Sequence, residues 1–277
     1  MVAPEAFRDT SIEEEETLSA LPDTLSMPVK EVRGFLRSLP IADPALLAKL
    51  ARDPRLTVRK MAYRGLHRGG NLARNEDIFR RGSIRVLAGA DEAGRGALAG
   101  PIAAAAVVFE PGVVVKGVND SKLLTPGLRE ELYEEITRKA TAVSVAFVDG
   151  GLIDKWGLQV ANLKALGDAV VGVQARCHCV ICDHFSLKGL PLPSIGIPKA
   201  DSTFQSVAAA SIVAKVERDR VMISMASRFP LYNWASNKGY ATTEHLRAIR
   251  EHGPCELHRR SFSGVPPEED DDPLRGD

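Results

Sequence analysis

The segment DEAGRG, Asp91 to Gly96, places two adjacent carboxylates after the apolar run IRVLAGA and before a glycine-flanked arginine. Two further acids occupy comparable positions. Asp183 ends the apolar stretch CVICD, and Asp201 follows SIGIPKA just ahead of a long helical pattern. Taken singly, an acid after a strand is more often a turn former or a helix cap. Four of them at strand ends suggest more, because strand ends on one side of an open α/β sheet converge and ligand sites form there. Four converging carboxylates repel one another unless they are protonated or neutralised by cations. Their hard oxygens suit Mg²⁺ or Mn²⁺, ions that keep several waters and also bind phosphate oxygens. Two such ions about 3.5–4 Å apart are suited to phosphodiester cleavage, one activating a water and the other stabilising the leaving oxygen.

Groups suited to phosphate stand nearby in sequence. Gly94 and Gly96 allow a tight turn and a close backbone approach, and Arg95 between them offers a guanidinium. The same three residues also read as an ordinary turn between two strands. Lys122 in NDSKLLT and Lys215 in ASIVAKVERDR are either phosphate contacts or solvated charges. The segment CHCVICDH, 177 to 184, is dense enough in cysteine and histidine to invite a zinc reading. In a strand, however, Cys179 and Cys182 point to opposite faces, and the segment holds no glycine to form a knuckle, so buried packing is the expected role.

The pattern around these residues predicts the elements that hold them. IRVLAGA, PIAAAAVVF and TAVSVAFVD read as three successive strands, and LIDKWGLQVANLKALGDAVVGV as a helix. RCHCVICD then reads as a fourth strand and SIGIPK as a short one. Helices follow through SVAAASIVAKVERDRVMISMASRF and TTEHLRAIREHG. This order belongs to the α/β class.

With 277 residues, 44% of them hydrophobic, the chain can bury a large core. Its net charge of zero is a sum of unlike blocks. Residues 1–24 carry −6, residues 25–82 carry +8, residues 83–262 carry +3 and residues 263–277 carry −5. The acidic ends, with EEEE and EEDDDP, are expected to be disordered tails. The basic block is expected to form two or three short helices broken by Pro40, Pro44 and Pro54. No apolar run approaches the roughly 20 residues of a membrane span, and no secretory leader is evident, so a cytoplasmic protein is expected.

DEAGRGALAGP, NDSKLLT, KADSTFQSVAAASIVAKVERDRVM, NKGYATTEHL and GPCELHRRSF together resemble ribonuclease HII, in order and with fitting spacing, over residues 84 to 262. The resemblance implies a ribonuclease H-like mixed sheet flanked by helices, to which the basic helical segment is an N-terminal extension. It implies cleavage of the RNA strand of RNA/DNA hybrids and incision 5′ to single ribonucleotides in duplex DNA; apart from the resemblance, a monomer with no protein partner identified is expected. The resemblance also implies that Asp91, Glu92, Asp183 and Asp201 bind two metal ions, and that Gly94, Arg95, Gly96 and Tyr240 recognise the ribonucleotide junction. Ala97 and Ala200 depart from the proline and glycine the family often carries at those places. The competing expectation is a non-catalytic nucleic-acid-binding protein that grips through residues 25–82, with the acids acting as caps.

Overall fold

The computed structural model describes residues 27–32, 72–77, 80, 85–118, 121 and 124–266. The chain divides into two compact units, Met1–Phe79 and Arg80–Asp277. In the first, residues 29–32 are helical and Leu72–Asp77 forms helix α1. The acidic tails and most of the helices expected between residues 33 and 71 lie outside the described residues, as does Lys122.

The second unit is built on a five-stranded mixed sheet of order β3-β2-β1-β4-β5. Its strands are β1 (Leu87–Ala93), β2 (Ile102–Val108), β3 (Ala142–Val148), β4 (Cys179–Asp183) and β5 (Ser194–Ile197). β2 runs antiparallel to both β1 and β3, whereas β1, β4 and β5 are parallel. Three strands therefore end at the same edge, and the expected acids lie there.

The alternation of side chains along β1 assigns its two faces. Ala88 and Ala90 enter an apolar core with Ala161, Ala165, Leu166, Ala169 and Val170 of helix α4 (Leu158–Val173). Gly89 and Asp91 face the other way, toward helix α5 (Gln205–Ala226). β2 reads IAAAAVV and is buried at every residue, as expected for a strand covered on both faces. Gly89 sets the closeness of α5, because a β-carbon there would lie 2.1 Å from the backbone carbon of Ser206. Gly89→Val is therefore expected to cost about 3 kcal/mol and lower the thermal midpoint by several degrees. An unchanged midpoint in calorimetry would show that α5 can retreat.

Two elements differ from the sequence expectation. Helix α2 (Pro126–Lys139) intervenes between β2 and β3. It buries only Leu132 and Ile136, too narrow a stripe to announce a helix by periodicity. Its start was nonetheless encoded locally: Thr125 caps it by accepting from the Leu128 N–H at 3.3 Å, and Pro126 occupies the first turn. The single helix expected over LIDKWGLQVANLKALGDAVVGV is two, α3 (Gly150–Trp156) and α4, broken at Gly157 with φ 81°. Two short C-terminal helices complete the unit, α6 (Trp234–Asn237) and α7 (Thr243–His252).

Candidate active site

Asp91 and Glu92 lie within β1, paired with Ala105 and Ala104, so the strand extends past them to Ala93. The reading that placed both acids after the strand is thus corrected. Ladder pairing with β2 carries the backbone further than the apolar run suggests. Asp183 ends β4 and flanks Asp91, since Ala90 pairs with Cys182. Asp201 sits in a single 3-10 turn, Ala200–Ser202, ahead of α5. Its preceding residue is tied to the neighbouring acid by the Ala200 N–H, which donates to Asp183 Oδ1 at 2.9 Å.

The electrostatics of this edge are those of an anion cluster awaiting compensation. Burial first, then the charges of Glu92 and Asp183, push the Asp91 carboxyl well above its ordinary range, and a hydrogen bond from Ser211 of α5 only partly offsets this. Burial also raises Glu92; Arg95 opposes that rise and Asp183 adds to it. Arg95 Nη1 reaches Glu92 Oε1 at 3.3 Å, while Glu92 Oε2 is buried with no hydrogen-bond partner. Asn162 of α4 lies beside Glu92 and favours its charged form, yet its amide makes no hydrogen bond of normal geometry. Among the described residues no three His, Cys, Asp or Glu side chains stand close enough to hold one ion by themselves. An ion there would take one or two carboxylates and complete its shell with water and phosphate oxygens, which is how Mg²⁺ is usually bound.

The second group of expected site residues gathers beside the first. Gly94 has φ 90°, and a β-carbon there would collide with Arg218 Nε at 2.0 Å. Arg95 lies over the Phe185 ring at 5.0 Å, and Gly96 is exposed. Ala97 forms an isolated antiparallel bridge with Tyr240, which brings the GRG turn and the tyrosine together across more than 140 residues of chain. The half-buried Tyr240 ring has Lys215 Nζ and the Arg218 guanidinium each 5.1 Å from its centroid. Among the described residues four non-glycine residues have positive φ, and three of them flank these acids or the tyrosine: His184, Lys199 and Lys238. Backbone held in that region is costly and concentrates at functional sites.

The sequence model of the ribonuclease HII family matches residues 88–265, which include every one of these side chains. The chain belongs to the ribonuclease HII family. It is 48% identical over 179 residues to ribonuclease HII of Geotalea daltonii, covering 65% of this chain and 83% of that protein. To ribonuclease HII of Salinispora tropica it is 44% identical over 202 residues, or 72% and 75% of the two chains. Its fold is similar to that of ribonuclease H2 from Pyrococcus horikoshii, with a TM-score of 0.54 at 25% identity, over 65% of this chain and 95% of that one. A similar match, with a TM-score of 0.53 at 27% identity, covers 64% of this chain and 95% of the RNase HII chain solved as a PCNA:RNase HII complex from Archaeoglobus fulgidus. As a ribonuclease HII, the chain is a metal-dependent endonuclease that hydrolyses RNA in RNA/DNA hybrids, and incision at single ribonucleotides follows the family.

Ribonuclease HII chemistry aside, Cys179 and Cys182 of CHCVICDH are packed in the interior. Both are fully buried, and burial pushes their thiols up to about 11 and about 12. His245 and His258 are also buried, in a hydrogen-bonded chain whose protons can be assigned. Trp234 Nε1 can only donate, so His245 Nε2, 3.1 Å away, accepts, and His245 Nδ1–H donates to the Tyr240 carbonyl at 3.0 Å. His258 Nδ1 accepts from the Cys255 N–H at 3.0 Å, which leaves its proton on Nε2, 3.1 Å from His245 Nε2, whose single lone pair it shares with the Trp234 N–H. Both rings are therefore neutral. Burial first, then His245, holds His258 down to about 4 against the ordinary 6.5. The unfolded chain takes up this proton near 6.5 and the folded chain refuses it until about 4. That contribution to stability is complete above pH 6.5 and is lost as pH falls to 4, in all about 3 kcal/mol. Asp91 and Glu92 titrate with the opposite sign, so the check is the wild-type stability profile minus that of His258→Asn. A flat difference between pH 4 and 6.5 would show that His258 titrates alike in both states.

Sequence reasoning missed Ser211, Asn162, Trp234 and the buried Arg218 and Arg259. The arginines stood in the legible strings RDR and HRR, but no local pattern separates a buried guanidinium from a surface one.

Proposed function

We propose that Asp91, Glu92, Asp183 and Asp201 hold a pair of divalent ions, Mg²⁺ or Mn²⁺, at the end of the three parallel strands. The observation that carries this reading is two buried carboxyls, Asp91 and Glu92, held above their ordinary range by burial and by the charge of the neighbouring Asp183, with Glu92 Oε2 buried and without a hydrogen-bond partner. A protein that used these acids only as caps would have no reason to force them together at such electrostatic cost. When bound, such ions supply Lewis acidity, lowering the pKa of a water and neutralising charge on the departing 3′ oxygen, so that 3′-hydroxyl and 5′-phosphate ends result. The protein's own groups orient the substrate. Gly94, Arg95, Gly96 and Tyr240 address the ribonucleotide, while Lys215 and, from the NDSKLLT segment, Lys122 address its phosphates. A tyrosine at the junction can stack on a sugar or base and place its hydroxyl near the 2′-OH, the group that distinguishes RNA from DNA.

The decisive assay uses a DNA duplex with one embedded ribonucleotide, with and without Mg²⁺ or Mn²⁺. Incision 5′ to the ribonucleotide only in the presence of ions is expected. Equal incision in EDTA would remove the metal role of the four acids.

We assign to the basic residues 25–82 a share of the nonspecific grip on the duplex, supported by their net charge of +8. Deleting residues 1–82 is expected to leave an active core that binds hybrid more weakly. Each lysine or arginine withdrawn from a phosphate flattens the slope of log affinity against log salt by about 0.9 on B-DNA. Identical slopes for both proteins would show that this block does not touch the phosphates.

A further inference from the structure

Among the described residues of this unit two arginines are fully buried, Arg218 of α5 and Arg259 near the C-terminal end of the described chain. A buried guanidinium commonly meets a carboxylate, but every hydrogen bond described for these two goes to a backbone carbonyl. Arg218 donates from Nε to Pro101 at 2.8 Å, from Nη2 to Ala99 at 3.0 Å and from Nη1 to Lys238 at 2.9 Å. Arg259 donates from Nε and Nη2 to Gly100 at 3.0 and 2.8 Å, and from Nη1 to Arg95 at 3.0 Å.

The carbonyls chosen are specific. Four belong to the turn that begins with GRG, at Arg95, Ala99, Gly100 and Pro101, and the fifth belongs to Lys238, two residues before Tyr240. Arg259 thus crosses the GRG turn from one limb to the other. Arg218 joins that turn to the tyrosine loop, while its guanidinium lies 5.1 Å from the centre of the Tyr240 ring. Backbone pairing continues the same connection: Leu98 N–H donates to Gly239 O at 2.8 Å, and Arg259 N–H donates to Leu98 O at 2.8 Å. Glycine at 94 is required where Arg218 passes, and glycine at 239 is required where a β-carbon would lie 2.6 Å from the Ala99 oxygen.

We infer that Arg218 and Arg259 are positioning residues for ribonucleotide selection: their forks lock the GRG turn and the Tyr240 loop into one rigid reading head. This rests on the proposed recognition role of those two segments and assigns the residues that set their relative geometry. A guanidinium does this where a lysine cannot, because its planar fork satisfies carbonyls in several fixed directions at once. Neither arginine touches substrate in this scheme. Each acts through the turn it holds.

The test compares R218K and R259K with Tyr240→Ala and with Ile136→Ala, a core variant on α2. Single-turnover cleavage is measured per folded molecule on two duplexes, one with a single ribonucleotide and one with a continuous RNA strand. Thermal midpoints are recorded alongside. Both lysine variants are expected to lose roughly tenfold or more of their preference for the single ribonucleotide, since small misplacements of a reading group cost up to about a hundredfold. Ile136→Ala should lower the midpoint and leave that preference intact. If the lysine variants lose only stability while Tyr240→Ala loses preference, the arginines are structural and the inference fails. If Tyr240→Ala also keeps its preference, the recognition reading falls and takes the inference with it.

A measurement on the wild type keeps the inference testable should a lysine variant fail to fold. The Leu98 and Arg259 amides should exchange hydrogen as slowly as the amides of β1. Exchange much faster than β1 would mean that the two segments open separately, and would overturn the single rigid head.

Discussion

Asp91→Asn abolishes cleavage of a ribonucleotide-containing duplex and, without divalent ions, leaves a protein at least as stable as the wild type at neutral pH. Both halves have one cause. Asp91 is buried beside the charges of Glu92 and Asp183, and its carboxyl is held well above its ordinary range. Ionising it therefore costs more in the folded chain than in the unfolded one. Between the ordinary and the raised pKa the folded state binds more protons than the unfolded state, so stability falls as pH rises through that window. Asparagine keeps the shape and the Ser211 contact but removes the charge. What it forfeits is the anion that draws in a cation. Loss of several kcal/mol of transition-state stabilisation corresponds to about three orders of magnitude or more in rate. A companion readout is independent of turnover: Mg²⁺ or Mn²⁺ should raise the wild-type melting temperature by mass action and raise that of Asp91→Asn much less. A folded Asp91→Asn enzyme with wild-type turnover in Mg²⁺ would show that the metal site has been placed wrongly.

Tyr240→Ala removes most of the cleavage at a single embedded ribonucleotide, and Tyr240→Phe removes a smaller part. The ring is half-buried, held between a bridge to Ala97 and the cationic groups of Lys215 and Arg218. Its backbone carbonyl is fixed by the His245 Nδ1–H. A side chain that only filled space would not need all of these constraints. Stacking of an aromatic on a base is worth about 1–3 kcal/mol, so its loss costs about ten- to a hundredfold. Removing the hydroxyl alone, one neutral hydrogen bond, costs about 1 kcal/mol, or about fivefold. Rates on the single-ribonucleotide duplex, normalised to folded protein, decide the matter. Wild-type rates for both variants, or a sharp fall in melting temperature with unchanged specific activity, would make Tyr240 a packing residue.

The arithmetic of types and spacing made much of this site legible before any coordinates. Apolar runs ending in acids marked β1 and β4, because a buried strand must be apolar and an acid at its end must face something polar. The DEAGRG, KADS and NKGY strings, taken in order, identified the family resemblance, and the strands holding the acids came out parallel as the convergence argument required. Local signals also sufficed in principle for α2 and for the break at Gly157, since caps and positive φ are written in single residues. Tertiary structure decided the rest. That Asp91 turns toward Ser211 while Glu92 lies beside Asn162 follows from which helix covers which face, and strand alternation cannot choose a face without knowing the cover. That Arg218 and Arg259 are buried, and bind carbonyls of turns more than 100 residues away, is invisible to any local pattern. A guanidinium leaves water only when the fold supplies a ring of fixed acceptors, and that ring exists only after distant turns have been brought together.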